Sequence, residues 1–357
     1  MQLGVYSFGD LARDPETGTL ATTAQATRNL LEAIRLADAV GLDYFGIGEH
    51  HTVQAPASAA ATILAGAATV TSRILLGSAV TVLSTDDPVR VYQQFATLDA
   101  ISGGRAEITA GRGSSTESFP LFGYDLSDYD TLYREKLDLL QRINRDERVT
   151  WSGTTRSALT DAVIVPRPDR GHLPIWVGTG GSPGSSVRAG QLGLPVSYGI
   201  IGGQPERFGQ FAGLYRQAYA EAGHPVEQAR VAVGNPGFLA PRQADAQRIF
   251  WDGWTTAMTE AGKQRGFRPP DRAQFNAETT RGALFVGEPE QIAERILRLH
   301  TAMGHMRQFI QMDIGYLPQR HYLASIELLG TKVKPLIDAE LGPEPADLRA
   351  TVLGATA

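Results

Sequence analysis

Glu49-His50-His51 brings together the side chains best able to do chemistry in this chain: a carboxylate followed by two adjacent imidazoles, directly after the apolar run Tyr44-Phe45-Gly46-Ile47. Imidazole is the side chain whose ordinary pKa allows proton transfer near neutral pH. The chain holds seven histidines, so a neighbouring pair at the exit of a strand is unusual. A plainer reading stays open, in which one histidine caps the strand and the other faces water. Metal binding is not expected. Successive residues of a strand point to opposite faces, so His50 and His51 would need ligands from elsewhere, with Glu117 and Asp313 as the available carboxylates.

Three further clusters stand at the ends of apolar runs. The first is Ser78-Ala79-Val80-Thr81, followed by Asp86-Asp87-Pro88-Val89-Arg90. The second is Gly111-Arg112-Gly113. The third is the turn Gly178-Thr179-Gly180-Gly181-Ser182-Pro183-Gly184-Ser185-Ser186. In that turn, glycines free backbone N–H groups to face a ligand, and Ser185 and Ser186 open a helix expected over 185–191. This is the chemistry of a phosphate site. The alternative is an ordinary strand-to-helix turn with a serine N-cap. Arg112 can add a charge-assisted contact to the same phosphate, or it can be a surface arginine paired with Glu117.

The elements that must position these groups alternate along the chain. Strands are expected over 3–8, 44–49, 74–83, 106–111, 174–178, 195–201, 230–239 and 306–313. Helices are expected over 24–40, 57–70, 89–101, 129–143, 185–191, 205–222, 243–258 and 289–303. Eight strand-then-helix units in this length predict an α/β fold, a (β/α)8 TIM barrel, in which chemistry collects at the C-terminal ends of the strands. A doubly wound open sheet is less consistent with the sequence, because no strand is followed by a G-x-G-x-x-G turn opening a helix. The expected organisation is a single barrel over 1–341 with insertions at about 146–173 and 250–283, then a C-terminal tail over 342–357. Within the insertions, 148–173 reads as a hairpin and 261–281 as a long loop before strand eight, a candidate lid. Phe8, Phe119, Trp251 and Tyr316 are candidates for the pocket lining.

Composition narrows the partners. A net charge of −5 with no basic cluster argues against nucleic acid or an anionic membrane surface. No apolar run reaches the roughly 20 residues that span a bilayer. The chain contains no cysteine, which excludes disulfides and thiolate chemistry and agrees with a reducing cytoplasm. A cytoplasmic protein is expected.

On these motifs the chain resembles the bacterial luciferase-like family of flavin-dependent monooxygenases. The resemblance is carried by GLDYFGIGEHH (41–51), SAVTVLSTDDPVRVYQQFATLDAISGGRAEITAGRG (78–113), ESFPLFGYDL (117–126), PIWVGTGGSPGSSVRAGQLGLP (174–195) and VGEPEQIAERILRLH (286–300). It implies a TIM barrel, commonly a homodimer, that uses reduced FMN and O2. A C4a-hydroperoxyflavin would attack a small organic substrate, an aldehyde or ketone by analogy. Reduced flavin would come from a separate flavin reductase using NAD(P)H. The resemblance implies His50 as catalytic base with Glu49 and His51 beside it. For FMN it implies Ala79 and Val80, joined by a cis peptide, with Thr81 next to them. Arg112 and Gly113 would meet the phosphate, as would the turn holding Gly178, Gly180, Gly181, Ser182, Ser185 and Ser186. Gly111 stands where the light-emitting subunit has a reactive cysteine, so light emission is not implied. Two other activities remain open: hydride transfer with a flavin or deazaflavin, and a non-catalytic flavin-binding subunit.

Overall fold

The computed structural model describes residues 1–113, 116–266 and 268–342. The first half of the chain runs β1 (Gln2–Ser7), α1 (Thr23–Ala39), β2 (Tyr44–Ile47), α2 (Ala60–Ala68), β3 (Leu75–Ser78), β4 (Thr81–Val82), α3 (Pro88–Ser102), β5 (Ala106–Gly111), α4 (Ser118–Phe122) and α5 (Tyr129–Arg145). A hairpin, β6 (Arg148–Trp151) and β7 (Leu159–Val163), leads to β8 (Ile175–Thr179), α6 (Pro183–Gln191), β9 (Val196–Gly199), α7 (Gly209–Glu221) and β10 (Val231–Leu239). The remainder is α8 (Gln243–Arg265), α9 (Arg272–Arg281), β11 (Phe285–Gly287), α10 (Pro289–Met303), β12 (Arg307–Gln311), α11 (Gln319–Leu328) and α12 (Lys334–Leu341).

Eight parallel strands close on themselves in the order β1-β2-β3-β5-β8-β9-β10-β12, with β12 returning to β1. Helices cover the outside, so both faces of each strand are buried and the strands read as apolar runs. Along β1, Leu3 and Val5 face the helices while Tyr6 faces the interior. The inward set is aromatic: Tyr6, Tyr44, Leu75, Trp176, Ala232 and Phe309 pack together. Below them lies a buried ion pair. Arg307 makes contacts of 2.6 and 3.1 Å to the Glu107 carboxylate and donates to Gln2 Oε1 at 2.6 Å. The Tyr44 and Trp176 rings lie 4.4 and 4.8 Å from its guanidinium. The pair is tolerable there because its hydrogen bonds are satisfied within the barrel.

Several sequence motifs prove architectural. Asp87 accepts from the N–H groups of Val89 and Arg90, and Pro88 opens α3, so Asp87-Pro88 is a helix start. Gly103, in the left-handed region, ends that helix. Arg105 then donates to the carbonyls of Ala68, Thr71, Ile74 and Ser102, tying the end of α2 to the strand that follows it.

The structure departs from the expected elements in three places. The run 74–83 is two strands, broken at Ala79-Val80, whose peptide is cis. Residues 261–281, expected as a long loop, are mostly helix: α8 continues to Arg265 and Asp271 caps α9 through Gln274 N. Polar composition hid that helix because it buries only a narrow stripe, with Phe275 against Trp251 and Trp254. After α9 the short strand β11 pairs with the end of β10, outside the eight-stranded ring. The segment 148–173 does hold an antiparallel hairpin. Of the tail expected over 342–357, positions 343–357 lie outside the described residues. Among the described residues no helix is long and apolar enough to cross a membrane.

Candidate active site

A cavity of about 390 Å³ opens among the C-terminal strand ends. It reaches from Tyr6 on β1 and Phe8 just after it, past Glu49, His50 and His51, to Arg112 and Gly113 after β5 and Gly178, Thr179 and Gly180 at β8. Each residue arrives there because its strand ends beneath it, the placement the barrel imposes on its loops.

The two histidines have different partners. His50 Nδ1 lies 2.8 Å from Glu117 Oε1, across 67 residues of chain, and the Phe8 ring packs edge-on against its imidazole at 4.4 Å. His51 Nε2 lies 2.9 Å from Glu49 Oε1. The second oxygen of Glu49 accepts from Val82 N at 2.8 Å, and Glu49 N donates to Val80 O at 3.0 Å. Glu49 therefore holds the end of β2 to Val80 at the break and to β4 just after it. Burial pushes the Glu117 carboxyl up, but the hydrogen bond and charge of His50, with backbone N–H groups, hold it below its ordinary 4.5. A carboxylate that stays ionised favours a proton on His50 Nδ1 and leaves Nε2 as the basic atom.

Ala79 and Val80 form part of the cavity wall, and glycines around them supply the room. A Cβ on Gly111 would meet the Val80 side chain at 2.4 Å, one on Gly178 at 2.6 Å, and one on Gly46 would meet Ala79 at 2.7 Å. A cysteine at position 111 would therefore not fit beside Val80 as it stands.

At the opposite end Arg112 donates to Asp130 Oδ1 at 2.9 Å and to Ser185 Oγ at 3.2 Å, and lies 5.2 Å from the centre of the Tyr129 ring. Asp130, not Glu117, is thus its acidic partner. The helix after β8 begins earlier than the sequence suggests. Ser182 is its N-cap, Pro183 its first residue, and Ser182 Oγ accepts from Ser185 N. Ser185 and Ser186 lie in the first turn, and Ser186 is buried between Ser182 O and the Tyr198 hydroxyl.

Of the site residues expected from sequence, the cavity gathers Glu49, His50, His51, Ala79, Val80, Arg112, Gly113, Gly178 and Gly180. Thr81, Gly181, Ser182, Ser185 and Ser186 are not in its lining; Ser185 reaches the site through Arg112. Among the pocket candidates only Phe8 lines the cavity. Phe119 is buried and stacks on Tyr129, Trp251 packs on Phe275, and Tyr316 lies beside Arg13. No described residue of 261–281 touches the cavity, which removes the basis for a lid there. Sequence reasoning missed Tyr6, Ser197 and Phe309 in the lining. Strand alternation could have signalled Tyr6, since Leu3 and Val5 face outward. Among the described residues no group of three or more His, Cys, Asp or Glu side chains is placed to hold a metal.

The 4-hydroxyprotoasukamycin monooxygenase of Streptomyces nodosus subsp. asukaensis is 26% identical over 323 residues, 87% of each chain. The F420-dependent glucose-6-phosphate dehydrogenase of Beutenbergia cavernae is 37% identical over 177 residues, covering 47% of this chain and 51% of that one. The oxygenating constituent of 3,6-diketocamphane monooxygenase from Pseudomonas putida, solved in complex with FMN, superposes with a TM-score of 0.74 at 20% identity, over 94% of this chain and 98% of that one. The luciferase-like monooxygenase family profile matches residues 1–306, and the chain belongs to that family.

Proposed function

We propose that this chain is an FMN-dependent monooxygenase that oxygenates a small organic substrate, with His50 as its proton-transfer residue. The observation that carries the reading is one continuous cavity joining His50 to Arg112. The residues present fit FMN. Arg112 and the hydroxyl-rich start of α6 form a corner suited to a phosphate. Ala79 and Val80, seated against Gly46, Gly111 and Gly178, give the cavity a wall of small side chains against which a flat ring system would lie. Reduced FMN, when bound, supplies the electrons that activate O2. The chain's own work is to orient the reactants, hold a proton in reserve and exclude water. Glu117 fixes the His50 ring so that Nε2 gives or takes the proton. Phe8 and Phe309 keep the region beside it apolar.

Reduced flavin would come from a separate reductase drawing on NAD(P)H, in keeping with the lack of a dinucleotide-binding turn in the sequence. A homodimer and a cytoplasmic location complete the proposal. The relative from Beutenbergia cavernae favours one second reading, hydride transfer without oxygen insertion. Supplying the protein with reduced FMN, ¹⁸O2 and a panel of aldehydes and ketones separates the two. Label in the product is expected. Unlabelled product formed equally well without O2 would establish hydride transfer instead.

A further inference from the structure

The groups lining the cavity divide by position. Every charged lining residue follows β2, follows β5 or lies in the segment leading into α4, and each has a partner: Glu49 with His51, His50 with Glu117, Arg112 with Asp130. The side built by β12, β1, β9 and β10 presents Phe309, Tyr6, Phe8, Ser197, Gly199, Ile201 and Gly234, none of them charged. In the ring of eight strands β1 stands opposite β8, so Tyr6 lies across the barrel from the strand that leads into α6, whose Ser185 meets Arg112.

Tyr6 is distinct among the aromatic residues there. Its ring is packed edge-on by Phe8 at 5.7 Å and Phe309 at 5.2 Å, which fixes its direction. Its side chain belongs to the barrel interior and is 5% exposed. Yet among the described residues its hydroxyl has no hydrogen-bond partner. The hydroxyl is not among the buried unpartnered side-chain atoms, as those of Tyr92 and Tyr322 are, so it opens onto the cavity, where it can donate to a bound molecule. Burial, with the charge of Asp313 adding to it, pushes the hydroxyl pKa upward, which keeps it protonated as a donor and unsuited to act as a base. Phe8 joins this wall directly to His50.

We propose that Tyr6 is a specificity-determining residue whose hydroxyl donates to the oxygen of an uncharged, otherwise apolar substrate seated against Phe8 and Phe309. The proposal rests on the functional reading above for the placement of flavin on the β3, β5 and β8 side. A charged substrate would meet no counter-charge on this wall and would lose its hydration, whereas a single carbonyl or hydroxyl oxygen finds one donor.

Three probes of one carbon skeleton test it: a cyclic ketone, the parent cycloalkane and the corresponding carboxylate. Their affinities are read by ligand-observed NMR on the whole chain, as wild type and as Tyr6→Phe, with and without FMN. FMN affinity is read separately by flavin fluorescence, and folding by the melting curve. Wild type should bind the ketone roughly five- to tenfold tighter than the cycloalkane, the usual worth of one hydrogen bond. Tyr6→Phe should abolish that difference while keeping FMN affinity and the melting curve. A ketone preference that survives in Tyr6→Phe overturns the proposal, as does tighter binding of the carboxylate. An equal loss of FMN affinity in Tyr6→Phe also overturns it, by making Tyr6 a flavin contact. Failure of both proteins to bind FMN counts against the monooxygenase reading alone, because the ketone difference is measured without flavin as well.

Discussion

Two histidine–glutamate pairs stand side by side at the end of β2, with similar separations of 2.8 and 2.9 Å and different settings. Glu49 is two residues from His51 and also accepts from Val82 N, so this pair is local and ties β2 to the strand break. Glu117 reaches His50 from the segment leading into α4, and its only side-chain hydrogen-bond partner among the described residues is that imidazole. The first pair is more enclosed, with side chains 8% and 11% exposed; the second is at 19% and 25%. Adjacent histidines thus serve different ends. One is locked into the architecture; the other is oriented by a remote carboxylate, and among the described residues its second nitrogen has no hydrogen-bond partner.

The strongest way to break this comparison is to remove each imidazole in turn. His50→Ala should lower turnover by roughly a hundred- to ten-thousandfold, the usual contribution of a positioned acid or base. His51→Ala should lower it far less and show itself mainly in a reduced melting temperature. Equal losses of turnover from the two would erase the distinction. FMN affinity has to be measured in both, because the comparison assigns His50 a proton and no share in holding the flavin.

Arg112→Ala supplies the converse. It should weaken FMN binding about ten- to a hundredfold, the worth of charge-assisted hydrogen bonds to a phosphate, while enzyme saturated with flavin keeps most of its turnover. Arg112→Lys retains the charge but not the fork that reaches Asp130 and Ser185 together, so an intermediate loss is expected. If flavin affinity is unchanged in Arg112→Ala, the phosphate corner lies elsewhere and the cavity's orientation reverses.

Much of this was legible in the sequence, for stated reasons. Alternating apolar runs and amphipathic helices specify the barrel because each strand is buried on both faces. Gly111, Arg112 and the Gly178–Ser186 turn stand out in the sequence because the proposed phosphate corner would need glycine freedom and a fixed cation together. The pairing of His50 with Glu117 was not legible, since it depends on how the segment after β5 folds back over 67 residues. Nor was the role of Asp87-Pro88 or Arg105. Charged residues near a strand end look the same in a sequence whether they cap a helix or meet a ligand, and only their hydrogen bonds distinguish the two. Helix α9 escaped notice because its sole large apolar anchor, Phe275, gives no periodic stripe.

Glu49→Gln sharpens the architectural half of the comparison. The amide can still accept from Val82 N but no longer offers His51 a charged partner. A loss of about 1–3 kcal/mol in unfolding free energy is expected, the cost of leaving a buried polar group poorly paired. Chemical denaturation measures it. Turnover per folded molecule should fall less than in His50→Ala. A Glu49→Gln enzyme that is fully stable and inactive would move Glu49 from the brace into the chemistry.

The smallest effect lies on the pH axis and belongs to Glu117. Its carboxyl is held below 4.5 in the folded chain by His50 and backbone N–H groups, despite partial burial acting in the other direction. A lowered folded value means that the unfolded chain binds the proton more readily, so stability rises with pH across that interval. The contribution is complete above 4.5 and is lost as pH falls through the lowered value. Partial exposure of the pair keeps it modest. Urea denaturation of wild type and Glu117→Gln at a series of pH values should show wild type the more stable near neutrality, with the two curves converging in acid. Curves that stay parallel from neutrality into acid would mean that the His50 contact does not hold the proton off Glu117. The orienting role given to this carboxylate would then lose its electrostatic basis, because a neutral Glu117 could donate to His50 Nδ1 and place the imidazole proton on Nε2.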